Sequence, residues 1–224
     1  MRDRRRLSAV HGLIVAATLA FAAPASASTW AHPVNLVAIR AQPDTAAERV
    51  ATTRLLTEDR LAEVYLVLRQ RGGWVKLRVP GRPNGRTGWV RRTALGPLHR
   101  VDTRITVNRK TATLTLTRAG RTVFKTRVGV GKPTTPTPAG HFWVREKLRF
   151  HASPMYGTHA LGTSAYAKVS DWPGGGVVGI HGTDQPGLIP GRPSHGCVRV
   201  RNADMAKLYA LTPVGTPVTI TASS

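Results

Sequence analysis

At 224 residues the chain has room for one medium domain or two small ones, with enough length to bury a real core. It carries 33 Lys and Arg against 11 Asp and Glu, a net charge of +22, so it will adhere to polyanions. No aromatic-basic nucleic-acid motif accompanies that charge, which argues against nucleic acid as the partner; 26 of the 33 basic residues are arginines scattered along the chain, as genome composition alone would also give.

Residues 1–27 have the layout of a signal peptide: Arg2, Arg4, Arg5 and Arg6, an apolar run from Leu13 to Ala23, then Ala25-Ser26-Ala27 as a small-residue cleavage site. The run is too short to span a bilayer comfortably, and no second apolar segment follows. The expected destination is therefore the cell envelope, the wall or the medium, with no transmembrane segment in the mature chain. Without residues 1–27 the charge is still +19, and anionic wall polymers are the expected polyanionic partner.

Residues 28–95 form a first unit of short apolar stretches separated by turns. Val34–Ile39 and Leu61–Leu68 read as strands, as do the runs at Gly73-Trp74-Val75-Lys76-Leu77 and Gly88-Trp89-Val90. Between the tryptophans, Pro80–Gly85 has turn composition, and Asn84-Gly85 is a strong hairpin signal. The Gly-Trp-Val strands resemble those of bacterial SH3-like wall-associated domains, which implies a small β-barrel. Residues 96–101 read as a linker.

The second unit spans residues 102–222. Arg104–Asn108, Thr113–Thr117 and Thr122–Val130 alternate apolar and polar residues, as half-buried strands do. Three prolines between Gly131 and Gly140 exclude helix and central strand, so an ordered loop should lead into a strand at His141–Val144. One short, late helix is expected, capped by Asn202 and stopped at Thr212-Pro213, with a last strand over Val214–Thr221. The fold class is mainly β.

The one cysteine, Cys197, lies in Ser194-His195-Gly196-Cys197-Val198-Arg199. A lone thiol in an exported protein cannot form an internal disulfide, and nearby histidines suit it to nucleophilic chemistry. His195 is two residues before it and His181 sixteen; the Gly- and Pro-rich loop between can fold His181 back alongside. Gly196 permits tight backbone geometry that aims amides at one point, as an oxyanion hole requires. Buried cysteine is otherwise often a small hydrophobe. A zinc site built from His181, His195 and Cys197 would lack a fourth ligand, so neither metal nor cofactor is expected.

His181-Gly182-Thr183 and Ser194–Arg199 together resemble the signature of the L,D-transpeptidase catalytic domain, the YkuD type. Thr137–Phe142 and Gly215–Val218 extend the resemblance over residues 102–221. The resemblance implies a β-rich cysteine acyltransferase acting on peptidoglycan stem peptides. Cys197 would form a thioester with a tetrapeptide stem, release D-alanine, and pass the acyl group to the side-chain amine of a second stem. His181 would act as base, while Ser194, His195 and Gly196 shape the site and the oxyanion hole. Arg199, Trp172 and Tyr156 would meet substrate, the last two from a flap. The orienting partner of His181 is left open between a backbone carbonyl and a hydroxyl near Gly182-Thr183. Two other functions remain: an L,D-carboxypeptidase giving the same acyl group to water, and a non-enzymatic wall-binding protein.

Overall fold

A computed structural model describes residues 27–151, 153–168 and 173–222. The signal-peptide reading of the N-terminus and the flap residue Trp172 lie outside the described residues. Among those described, no helix is long and apolar enough to cross a membrane.

The first unit is one antiparallel sheet of seven strands: β1 (Ser28–Ala31), β2 (Ala38–Arg40), β3 (Arg49–Thr52), β4 (Tyr65–Arg71), β5 (Trp74–Arg78), β6 (Thr87–Arg91) and β7 (His99–Val101). Their order is β3-β2-β6-β5-β4-β1-β7. Ile39, Tyr65, Val75, Leu77 and Val90 fill its core. The segment expected to be a linker is itself structured, because β7 pairs with β1 through Trp30 and His99. The strand expected at Val34–Ile39 is only Ala38–Arg40, and the one at Leu61–Leu68 begins four residues later.

The second sheet contains β8 (Thr103–Asn108), β9 (Thr113–Arg118), β10 (Arg121–Arg127), β11 (Gly129–Gly131), β12 (Gly140–Arg149), β13 (His159–Tyr166), β14 (Val177–His181), β15 (Gly191–Ser194), β16 (Val198–Arg199) and β17 (Pro217–Thr221). The order is β10-β9-β8-β17-β12-β13-β14-β16-β11-β15. Its main core joins Ile105, Leu116, Val144, Leu161, Ile180 and Val198 to Met205 and Leu208 of the helix α1 (Asn202–Leu211). Asn202 does not cap this helix: it is the first helical residue, and Arg201 occupies the cap position without a side-chain bond. The run expected as one strand to Val130 breaks into β10 and β11.

The two sheets are locked together. Trp30, Val64, Leu66 and Val101 of the first unit bury a third core against Trp143 of β12, and Trp143 Nε1 donates to the Val64 carbonyl at 2.7 Å. A register shift between Val144 and Glu146 marks a bulge in β12. Val144 stays in the main core while Arg145 turns toward the first unit. The Arg145 guanidinium is fully buried against the equally buried Glu63 carboxylate, with Nε donating to Oε1 at 2.7 Å and Nη2 to Oε2. Glu58 accepts a second contact from Arg145 at 3.0 Å, and Arg54 bridges Glu58 and Glu63. Although burial alone would lower it, the Arg145 pKa is raised by the hydrogen bond and charge of Glu63.

The Asn84 turn is the other clamp. Its amide exchanges hydrogen bonds with the Tyr166 backbone at 2.8 and 2.9 Å, and Arg82 donates to the Ala167 and Gly175 carbonyls at 2.9 Å.

Removing one partner of a buried ion pair strands the other's charge, at a cost of about 3–5 kcal/mol. Glu63→Ala is therefore expected to destabilise the whole chain by that order in urea unfolding. The loss should appear in tryptophan fluorescence of both units, since Trp30 and Trp143 share the interface core.

Candidate active site

The parallel pairing of β14 with β16, Ile180 against Val198 and His181 against Arg199, sets Cys197 level with Gly179. The Gly179 N–H accordingly points at the Cys197 sulfur, 3.4 Å away. His181, at the end of β14, shares both cavities beside Cys197. A narrow one of about 30 Å³ runs toward Met155, His195 and Arg199. A larger one of about 170 Å³ extends over Gly162 to Glu146 and Asp59.

His181 is buried, and its Nδ1 lies 2.6 Å from the Gly182 carbonyl oxygen. A carbonyl can only accept, so Nδ1 carries the proton and Nε2 keeps its lone pair. The partner left open in the sequence is this carbonyl. Tyr156 packs edge-on against the imidazole, ring centroids 4.8 Å apart. Asn202 then fixes the segment: its Oδ1 accepts the Thr183 N–H at 2.8 Å and leaves no room for a side chain at Gly182 or Gly157. Asn202 was legible only as a helix cap, because this contact spans the chain from helix start to strand end.

Ser194 and Gly196 build the turn before the cysteine. Ser194 Oγ donates to the Cys197 carbonyl at 2.6 Å and accepts the Gly196 N–H at 3.2 Å. The Gly196 N–H is thus held within the turn in this structure. Gly196 itself is at φ +134°, and a Cβ there would press on Ala167. His195 lines the narrow cavity with Arg199, whose Nη1 donates to Gln185 Oε1 at 2.9 Å.

Burial pushes the Cys197 thiol pKa up, outweighing the Gly179 N–H and the Arg199 charge that lower it. Burial likewise drives the His181 imidazole down to about 4, with Arg199 adding to the fall and the Gly182 bond opposing it. Both groups rest neutral at pH 7. The arrangement can thus move the thiol proton to Nε2 as sulfur attacks, rather than storing an imidazolium–thiolate pair. Among the described residues no group of three or more His, Cys, Asp or Glu could hold a metal ion.

Residues 102–220 match the L,D-transpeptidase catalytic domain family, YkuD. This chain belongs to that family. The Bacillus subtilis protein YkuD is 35% identical over 108 residues, covering 48% of this chain and 59% of that protein. The Bacillus subtilis YqjB is 31% identical over 129 residues, covering 54% and 72%. The chain thus spans about three-fifths of the first relative's length. Among solved structures, a mutant Enterococcus faecium L,D-transpeptidase is similar at 29% identity and TM-score 0.43, covering 53% of this chain and 49% of that one. The faropenem-derived adduct of Mycobacterium tuberculosis L,D-transpeptidase 3 is similar at 17% identity and TM-score 0.43, covering 66% and 68%. The family match lies wholly within the segment that forms the second sheet and α1.

A neutral pair has a pH signature. Alkylation of Cys197 by iodoacetamide should rise through the alkaline range with no plateau at neutral pH; a plateau would mean a resting ion pair. Stability carries a second one. The His181 pKa falls from 6.5 in the unfolded chain to about 4, so between those values only the unfolded state binds the proton and stability is lost as pH drops. Relative to His181→Gln, the protein should lose about 3 kcal/mol of unfolding free energy between pH 7.5 and pH 4.

Proposed function

We propose that this chain is an exported L,D-transpeptidase that uses Cys197 as its nucleophile on peptidoglycan stem peptides. The observation that carries this reading is the lone sulfur held by the Gly179 N–H in a pocket shared with an imidazole whose Nδ1 is locked to Gly182. Family membership supplies the chemical class.

In the proposed reaction the sulfur attacks the carbonyl of the third stem residue while His181 Nε2 takes the thiol proton. The tetrahedral oxyanion is met by backbone N–H groups of the Cys197 turn, with the Gly196 N–H engaged by Ser194. Collapse expels D-alanine, which leaves with the proton from His181, and a thioester remains on Cys197. The side-chain amine of a second stem then displaces the sulfur. Arg199 and Tyr156 edge the pocket where the stem would lie. The first unit is read as an SH3-like wall-associated module, and the high positive charge as affinity for anionic wall polymers. An L,D-carboxypeptidase would share every step up to the thioester and differ only in the acceptor.

The test uses the mature chain with a purified disaccharide-tetrapeptide. Intact mass should reveal a thioester on the wild type, and a β-lactam of the penem or carbapenem type should acylate the same residue. Cys197→Ala should abolish both adducts, and His181→Gln should slow acylation about 10²–10⁴-fold. No adduct on a fully reduced wild type would contradict the assignment.

A further inference from the structure

One row of residues crosses the second sheet at the site. Glu146 of β12 pairs with Gly162 of β13, and Gly162 with Gly179 of β14. Gly179 stands level with Cys197 and binds its sulfur. Paired residues present their side chains on one face, so a carboxylate and a thiol end the row with two glycines between them. With strands about 4.8 Å apart the row of backbones is roughly 14 Å wide. The Glu146 carboxyl reaches in over Gly162 and the Cys197 sulfur lies against Gly179, so the two groups face each other across about one strand spacing. The carboxyl of Glu146 lies across Gly162, where a Cβ would overlap it. The result is a trough without side chains on its floor. It forms the larger cavity beside Cys197, walled by Phe150 and Tyr156 and reached from the first unit by the exposed Asp59.

Glu146 is only 2% exposed; the Thr57 hydroxyl lies near its carboxyl, but neither oxygen meets a hydrogen-bond partner at good geometry. An unpaired buried carboxylate is costly, so the site favours either a proton or a cationic occupant. Its neighbour Arg145 is already consumed by Glu63 and Glu58. Burial pushes the Glu146 carboxyl up to about 7; the Thr57 hydroxyl and Arg145 oppose the rise, while Asp59 and Glu58 add to it. Asp59 and Glu58 are negative, Arg145 and Arg54 are already paired with Glu58 and Glu63, and His181 across the cavity is neutral. The missing partner is a cation that donates hydrogen bonds.

We infer that the Glu146 end of this trough binds the primary ammonium group of the acyl acceptor, with Asp59 adding a second negative charge, and that Glu146 takes the proton that frees the amine. This rests on the transpeptidase reading above. The ammonium gives one proton to the Glu146 carboxylate, leaving a neutral amine whose lone pair attacks the Cys197 thioester carbon. The C–N bond forms, the C–S bond breaks, and the second amine proton passes through His181 to the departing sulfur. The products are an amide, the free thiol and a protonated Glu146, which returns its proton to water.

The experiment supplies the mature chain with the disaccharide-tetrapeptide and a disaccharide-tripeptide acceptor whose side-chain amine is free or acetylated, and measures the ratio of dimer to hydrolysed donor. Dimer is expected from the free amine only. Glu146→Gln should lower the ratio at least tenfold and Glu146→Asp should recover part of it. Asp59→Asn, on the exposed loop, should lower it two- to threefold, and decides the matter if a Glu146 variant fails to fold. Unchanged ratios in the folded variants, or hydrolysis alone in the wild type, would overturn the acceptor assignment. A second readout needs no donor: protection of Cys197 from iodoacetamide by pentane-1,5-diamine. The diamine should protect the wild type, pentan-1-ol should not, and Glu146→Gln should weaken protection at least tenfold. Equal protection in the variant, or none at all, would overturn the ammonium site. Protection without any acylation by tetrapeptide would uphold the ammonium site and remove the transpeptidase reading instead.

Discussion

The site depends on the parallel register between β14 and β16. Two short strands, joined by a glycine- and proline-rich connection that carries β15, are held so that Cys197 meets Gly179 and His181 ends its strand beside Arg199. A slip of one residue would send the sulfur to the opposite face, into the core occupied by Val198 and Ile180. The register is pinned from both sides: Val198 and Ile180 are fully enclosed by apolar neighbours, and Asn202 ties the strand end to the helix start. The catalytic groups themselves contribute little to this. They sit where a packed scaffold leaves them, neutral and partly desolvated, which keeps the sulfur in its protonated form until a substrate draws the proton across.

The first unit is part of the same scaffold. It buries its own tryptophan and a glutamate against β12, and its Asn84 turn holds the backbone at Tyr166 and Ala167 that borders the narrow cavity. The bulge at Arg145 links the two ends of this arrangement. One extra residue on that edge lets Arg145 face Glu63 while Glu146 swings over Gly162 toward the cysteine. The buried ion pair of the interface and the carboxylate of the larger cavity both follow from this one local irregularity in a strand.

Much of this was legible in the sequence. The mainly β class followed from alternation, and the hairpin β5–β6 from the turn residues of Pro80–Gly85 between two strand-like runs. The late helix followed from its stop at Thr212-Pro213. The Ser194–Arg199 run with His181 drew attention to the residues that the fold brings into one pocket. What stayed hidden depends on long-range pairing. His99-Arg100-Val101 has no strand signature of its own and becomes β7 only because β1, some seventy residues earlier, offers an edge. Arg145-Glu146-Lys147 reads as an ordinary charged stretch, since a bulge leaves no compositional mark. Asn202 looked like a cap because the competing acceptor role for its side chain requires Thr183 to lie beside it. The engagement of the Gly196 amide by Ser194 is likewise a matter of turn geometry, invisible in residue type.

The central claim is that His181 and Cys197 rest as a neutral pair, with the imidazole proton fixed on Nδ1 by the Gly182 carbonyl. Imidazole ¹⁵N chemical shifts of the folded chain across pH 4.5 to 8 test it most directly. The account predicts a single Nδ1–H tautomer for His181 throughout the neutral range, with protonation appearing only toward pH 4. A doubly protonated His181 at pH 7, or a dominant Nε2–H tautomer, would contradict it.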